Sequence, residues 1–292
     1  MILLLMAPPK VMMSKKQPKG QVAYLGPAGT YSHAVALQWF PDPANCVPVS
    51  EIQDVFASVE SGLTDFGVVP VENSSEGSIT VTLDSFIGSP LQIISEQLLR
   101  INHCLLAAKF TARTDIIKIV SHQQSLAQCR HWLTNSMPGI ERLAVSSNAE
   151  AARMAASQKG VAAIAGRTAA GLYELDILAD SIEDSPDNTT RFLLLAREGH
   201  ALSSGSNKTS IIISAHNEPG TLFKALEPFQ RFGVNLTKLE SRPSRKAAWS
   251  YSFYVDFDGH ITDNKVKAAL LELKQHALEV KILGSYPAAG TQ

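Results

Sequence analysis

Polar and apolar positions along the chain fall into two repeating signatures, and their order predicts an α/β protein. From Gln21 onward a short apolar run is followed by a small-residue turn and then by helical spacing, the order that builds a largely parallel sheet covered on both faces. Strands are predicted over 22–25, 66–71, 92–99, 103–107, 118–120, 161–165 and 190–196, and helices over 31–40, 53–61, 78–87, 125–134, 149–158 and 168–175. A Ser/Gly-rich stretch without periodicity, 201–207, interrupts the pattern and reads as a linker. Beyond it the pattern resets to strand 209–215, helix 220–232, strands 235–241 and 248–256, helix 263–276 and strand 281–285. That βαββαβ order is the ferredoxin-like motif.

Composition narrows the function classes. A chain of 292 residues has room for two domains at roughly 100–200 residues each. With 45% hydrophobic and 18% charged residues it is globular rather than disordered. Lys plus Arg number 26 against 27 for Asp plus Glu, and no long basic run exists to neutralise phosphates, so nucleic acid is not expected as a partner. Cys46, Cys104 and Cys129 are far apart and form no CxxC pair, which argues against a disulfide framework and a cysteine zinc site. The apolar residues 1–5 are too short a run for a membrane span or a signal core, and lysines follow rather than precede them. A cytoplasmic location, no membrane contact and a loose tail over 1–20, with Met12 or Met13 as alternative starts, are the expectations.

Candidate chemistry gathers at four strand-to-turn junctions, where open α/β sheets collect ligands. GPAGTYS, 26–32, brings Gly29 and Thr30 to the start of a helix, either as an anion cradle or as an ordinary glycine turn with its cap. PVENSSEGS, 70–78, sets Glu72 beside Asn73 at the end of an apolar strand. SHQQSLAQC, 121–129, offers Ser121, also a good helix cap, with Gln124 at the capping-box distance and Gln128 one turn further. DNTTRFLLL, 187–195, places Thr189, Thr190 and Arg191 before a strand as ligands for a carboxylated, hydroxylated molecule; alternatively Asn188 and Thr189 are turn formers and Arg191 is a surface ion-pair partner. No metal or cofactor motif accompanies them.

Taken together, GPAGTYS, PVENSSEGS, SHQQSLAQC and NTTRF, followed by PGTL at 219–222 and ESRP at 240–243, strongly resemble prephenate dehydratase in its monofunctional form with a C-terminal ACT regulatory domain. The resemblance runs from about Val22 to Pro287. It implies a two-lobed, periplasmic-binding-protein-like catalytic domain over 21–200 and a ferredoxin-like ACT domain over 208–287. The implied reaction turns prephenate into phenylpyruvate, carbon dioxide and water, without a cofactor, on the route to phenylalanine. Carried over residue by residue, the catalytic set is Thr190, Glu72, Asn73, Ser121 and Gln128. Gly29, Thr30, Thr189, Arg191 and Phe192 become substrate-binding neighbours. An L-phenylalanine effector site is implied at Pro219, Gly220, Thr221 and Leu222 together with Glu240, Ser241, Arg242 and Pro243, in an interface that also implies a homodimer or homotetramer. Thr221 and Phe223 stand where the family commonly has smaller apolar residues. Arogenate dehydratase, acting on the aminated analogue, and a non-catalytic two-lobed binding protein are the competing readings.

Overall fold

A computed structural model describes residues 18–198, 205–215, 218–243 and 251–290, so most of the expected tail and linker lies outside the described residues. The first lobe begins with β1 (Val22–Leu25), α1 (Tyr31–Trp39), β2 (Cys46–Val49), α2 (Ile52–Glu60), β3 (Phe66–Asn73), β4 (Gly77–Ser78), α3 (Thr80–Gly88) and β5 (Gln92–Arg100). The chain then crosses to a second lobe made of β6 (Cys104–Ala107), β7 (Lys118–His122), α4 (Gln123–Gln128), α5 (Arg130–Ser136), β8 (Glu141–Val145), α6 (Asn148–Ser157), β9 (Val161–Ala165), α7 (Arg167–Leu172) and β10 (Asp176–Ala179). It returns to the first lobe as β11 (Thr189–Ala196), which inserts between β3 and β5 in a sheet of order β2-β1-β3-β11-β5. The second lobe has its own sheet, β10-β6-β9-β7-β8.

Neither sheet is as parallel as the sequence pattern predicts. β11 runs antiparallel to both β3 and β5, and β6 runs antiparallel to β9 and β10. The reason is the double crossing between lobes, because a strand that comes back from the second lobe enters the first sheet from the opposite end. Consequently the amino end of β11 meets the carboxyl end of β3 at the mouth between the lobes. Four strands are not predicted by the pattern: the two-residue β4, which pairs with β3 off the main sheet path, and β2, β8 and β10, which lie at sheet edges. There one flank needs no apolar cover; β2 carries Pro48, and the side chains of β8 are largely exposed. The single helix expected over 125–134 is two, broken at Cys129.

Local sequence explains the supporting elements. Ile52, Val55, Phe56 and Val59 recur at helical spacing, and α2 buries all four against β3 and its neighbours. Ser147 caps α6 by accepting from the Glu150 amide, and the alanine-rich face behind it packs closely on β9.

The third unit is the expected βαββαβ module: β12 (Asn207–Ala215), α8 (Thr221–Arg231), β13 (Leu236–Pro243), β14 (Tyr251–Asp258), α9 (Asn264–His276) and β15 (Glu279–Pro287). Its sheet order is β13-β14-β12-β15, antiparallel throughout. Both helices cover one face, where Ile211, Ile213, Phe229, Val255, Phe257 and Leu273 form a core. The opposite face is not solvated. Ile212, Tyr254, Leu283 and Tyr286 join Val71, Leu83, Phe86 and Ile93 of the first lobe in one continuous core. At that junction Gly284 of β15 comes so close to β5 that a Cβ would collide with the Ile93 carbonyl. Among the described residues, no helix is long and apolar enough to cross a membrane.

Candidate active site

A cleft of about 650 Å³ opens between the two lobes, lined by Thr30, Tyr31, Asn73, Ser78, His103, Gln124, Ser125, Gln128, Asn148, Asn188, Thr190 and Phe192 among others. The described lining holds neither lysine nor arginine, and its one carboxylate is Glu76. Its other polar groups are amides, hydroxyls and imidazoles, set among apolar residues such as Leu25, Pro70, Ile79, Ile101 and Phe192.

At its centre lies a hydrogen-bonded set from the two strands that meet at the mouth. Asn73 Nδ2 donates to Thr190 Oγ1 at 2.8 Å and to Asn188 Oδ1 at 2.8 Å. Asn73 Oδ1 in turn accepts from the amides of Ser75 at 3.0 Å and Glu76 at 3.2 Å. The amide is therefore fully committed, and its orientation is determined by those backbone donors. Because Thr190 Oγ1 accepts from Asn73, its own proton is left to donate elsewhere, and Thr190 lines the cleft.

A second set comes from the other lobe. His103 Nε2 lies 2.8 Å from Gln128 Oε1, and His103 Nδ1 lies 2.8 Å from Tyr31 Oη. Burial lowers the His103 pKa below the ordinary imidazole value, opposed by the Gln128 hydrogen bond and by Glu183. A neutral ring carries one N–H. If that proton is on Nε2 it donates to the Gln128 oxygen, and the single Tyr31 phenol proton is shared between Nδ1 and the Asn102 carbonyl, also at 2.8 Å. Gln128 then presents its NH2 group to the cleft. Close by, Asn148 Oδ1 accepts from the His122 amide at 3.2 Å and from Ser125 Oγ at 3.0 Å, leaving its NH2 as a further donor.

The residues expected from sequence divide accordingly. Thr190, Asn73, Gln128, Thr30 and Phe192 all line the cleft. Thr30, however, spends its hydroxyl on the Leu25 carbonyl at 3.1 Å while accepting from the His33 amide as the cap of α1. Ser121 is fully buried and its one hydroxyl proton lies between two acceptors, the Ile164 carbonyl at 2.7 Å and Asn148 Oδ1 at 3.1 Å, so it ties Asn148 to β9 instead of lining the cleft. Gly29, at φ +94°, abuts Ala169 and Tyr173 of the second lobe. Thr189 pairs through its backbone with Ser74.

Two expectations are corrected outright. Arg191 and Glu72 face away from the cleft. Arg191 follows Thr190 on a strand, so its side chain leaves the opposite face, where it is buried against Glu96 at 2.6 Å, Asp256 at 2.6 Å and the Tyr286 hydroxyl at 2.9 Å. Glu72 sits on that same reverse face, 3.1 Å from Lys238 and 3.7 Å from Arg191. Tyr31, His103, Asn148 and Asn188 are cleft residues that sequence reasoning missed or read as turn formers. Tyr31, within GPAGTYS, and Asn188, within DNTTRFLLL, lay inside motifs already singled out, whereas His103 and Asn148 did not.

A model of the prephenate dehydratase family matches residues 22–200, and a model of the ACT domain matches 209–275. The chain belongs to the prephenate dehydratase family. It is 48% identical over 269 residues to the bifunctional chorismate mutase/prephenate dehydratase of Pseudomonas aeruginosa, covering 92% of this chain and 73% of that protein. It is 41% identical over 281 residues to the chloroplastic arogenate dehydratase/prephenate dehydratase 2 of Arabidopsis thaliana, covering 91% and 72%. Among solved structures, the prephenate dehydratase of Arthrobacter aurescens in complex with L-Phe superposes with a TM-score of 0.85 at 35% identity, covering 93% of this chain and 91% of that one.

In the ACT domain, Pro219 and Gly220 form the turn into α8, with Gly220 at φ +81° and Thr221 Oγ1 donating to the Glu218 carbonyl at 3.0 Å. Leu222 follows in the first turn of the helix. The ESRP residues divide by strand alternation. Glu240 accepts from Ser78 Oγ at 3.0 Å and Arg242 forks onto Asp84 at 3.0 and 3.2 Å. Both side chains thus turn toward the first lobe, not toward the α8 turn, which corrects their expected role as effector ligands. Ser241, paired across the ladder with Phe253 on the helix-bearing face, and Pro243 alternate to the other side.

Proposed function

We propose that the cleft converts prephenate to phenylpyruvate, carbon dioxide and water. The observation that carries this reading is the Asn73–Thr190 bond, which aims a hydroxyl proton into a cleft otherwise furnished with neutral donors. Prephenate carries two carboxylates and a ring hydroxyl on a cyclohexadiene. When the ring carboxylate leaves as carbon dioxide, its bonding electron pair enters the ring and expels the hydroxyl, which takes up one proton and departs as water. The ring becomes aromatic, so the driving force resides in the substrate.

What the protein adds is position and charge stabilisation. A threonine hydroxyl is too weak an acid to be a free proton source, and Thr190 acts as a fixed donor to the departing oxygen. The NH2 groups of Gln128 and Asn148 and the amino-terminal ends of α1 and α6 hold the carboxylates without a cationic side chain. That choice suits a decarboxylation, because an arginine on the ring carboxylate would stabilise the group that must lose its charge. Ser121 serves by bracing Asn148, and Phe192 gives the ring an apolar wall.

L-phenylalanine is the effector in this reading, bound beside the Pro219–Gly220–Thr221–Leu222 turn and the Ser241 and Pro243 side of β13. Because β13 is a sheet edge with Leu239 exposed, and Phe223 is exposed on α8, the same region forms the contact of a homodimer or homotetramer. A cytoplasmic location completes the reading; the three cysteines are buried free thiols, as a reducing compartment keeps them.

One feature favours a second substrate. Arogenate differs from prephenate by an ammonium group, and Glu76 offers that group a carboxylate at the cleft. Turnover measured with each substrate, with and without phenylalanine, tests both readings. Phenylpyruvate from prephenate is expected. If neither substrate reacts, the non-catalytic binding reading takes its place.

A further inference from the structure

The reverse face of the catalytic strand pair carries a charge network that the proposed reaction does not use. Arg191 bonds to Glu96 of β5 and to Asp256 and Tyr286 of the ACT sheet, all three partners being buried. Lys208 of β12 reaches both oxygens of Glu96 at 2.9 and 3.1 Å, and the Ala289 amide donates to the same carboxylate at 2.9 Å. Ser210 donates to Asp256 Oδ1 at 2.6 Å and lies 2.6 Å from Tyr286 Oη. Arg191 and Lys208 therefore face Glu96 and Asp256 across the junction of the two domains, with Glu72 3.7 Å from the same guanidinium. Burial works against the Arg191 charge, but Tyr286, Asp256 and Glu96 outweigh it and hold its pKa above the ordinary arginine value.

The network is placed directly behind the cleft set. Thr190 pairs across the ladder with Asn73, and the next pair is Arg191 with Glu72. Immediately beyond, the register of β11 on β3 shifts between Arg191 and Phe192, so that Phe192 pairs with Pro70. Val71 is the extra residue of this bulge. Val69 and Val71 both pack in the core shared with the ACT sheet, while Pro70 lines the cleft. Without the bulge, plain alternation from Pro70 would turn Glu72 into the cleft and Asn73 out of it. The carbonyls at the bulge are bonded outside the β3–β11 ladder, Val71 to the Ile79 amide at 2.9 Å and Pro70 to Thr82 Oγ1 at 2.6 Å, and the bulge lies next to a guanidinium anchored at three points.

We propose that Arg191 is a positioning residue that, clamped by Asp256 and Tyr286 of the ACT sheet, holds the bulged register and so keeps Thr190 and Asn73 facing the cleft. The regulatory sheet is on this view a structural part of the active site, and movement of that sheet acts on the Thr190 hydroxyl rather than on substrate access. The inference rests on the dehydratase reading above. It differs from a merely stabilising role in what it moves: turnover through Thr190, and not the hold on the substrate.

The test uses the full chain and the variant Tyr286→Phe, which keeps the buried ring and removes only the hydroxyl that Arg191 and Ser210 share. With prephenate, kcat is expected to fall between about tenfold and a hundredfold, the effect of a small misplacement of a reacting group, with KM within about twofold of wild type. Arg191→Lys keeps the charge without the fork and is expected not to restore kcat. In a Thr190→Val background, Tyr286→Phe should cost nothing more, because the hydroxyl it positions is gone. An independent reading comes from the Thr190 methyl resonance of threonine-labelled protein, which should shift in Tyr286→Phe. A folded Tyr286→Phe protein with wild-type kcat and an unmoved Thr190 methyl overturns the proposal, as does a loss that persists undiminished without the Thr190 hydroxyl. Failure of the wild-type chain to turn over either substrate would instead overturn the dehydratase reading.

Discussion

Asn73 donates to Thr190 while its own oxygen is held by two backbone amides, so the side-chain amide cannot flip and Thr190 Oγ1 must accept from it. The threonine proton is thereby left for the departing hydroxyl. Thr190→Val retains the shape and removes the donor. The loss of one preorganised donor is on the order of 10²- to 10³-fold in kcat, with a much smaller change in KM. Thr190→Ser should keep the larger part of the activity. Steady-state kinetics with prephenate reads both variants, and wild-type turnover in Thr190→Val would remove Thr190 from the mechanism.

Asn73→Asp makes a sharper test than Asn73→Ala. An aspartate there loses both N–H donors and offers only acceptors, so the Thr190 proton turns back to it and the cleft loses the donor although the Thr190 hydroxyl is intact. The new carboxylate would also lie without donors opposite Asn188 Oδ1 and would repel the substrate dianion. Asn73→Asp is therefore expected to fall at least as low in kcat/KM as Thr190→Val, and Asn73→Ala to retain more activity than Asn73→Asp. The reverse order of the two Asn73 variants would contradict the assignment of hydrogen-bond direction.

His103 acts on the cleft through Gln128. His103→Leu removes the partner of the Gln128 oxygen and frees the amide to rotate, for an expected loss on the order of tenfold in kcat/KM, roughly the worth of one hydrogen bond. His103→Gln places an N–H donor near the Nε2 position and should recover most of that loss.

The same histidine also makes stability depend on pH. Its folded pKa is lowered by burial, so between the folded and unfolded values the unfolded chain binds more protons. Its contribution is full above the unfolded value of about 6.5 and declines as pH falls below that value toward the folded pKa. Urea midpoints should drop between pH 7 and pH 5, and less steeply for His103→Gln.

Effector binding is expected to depend on the turn at Gly220. At φ +81° this residue occupies the left-handed region, so a β-branched side chain strains the turn. Gly220→Val in the full chain should weaken phenylalanine binding by calorimetry and shift inhibition to higher concentration, with turnover in the absence of phenylalanine unchanged. Undiminished heat of binding would place the effector elsewhere.

Sequence alone determined a great deal here, because the periodicity of apolar positions and the residue types at turns are local properties. The β1–α1 turn, the core strands β3, β9 and β11, and the whole βαββαβ order follow from patterns a few residues long. The motifs also brought the cleft segments to notice, since Asn73, Gln128, Asn188 and Thr190 all lie within them. Only tertiary structure decided which neighbour in each motif faces the cleft. Glu72 and Asn73 are adjacent, as are Thr190 and Arg191, and a strand sends adjacent side chains to opposite faces. The choice between them is made by the bulge at Val71 and by the ACT sheet packed behind, features that join positions such as Arg191 and Tyr286, 95 residues apart along the chain. The pairing of His103 with Tyr31 of GPAGTYS escaped notice for the same reason: a histidine and a tyrosine separated by 72 positions become one hydrogen-bonded pair only after the two lobes close on each other.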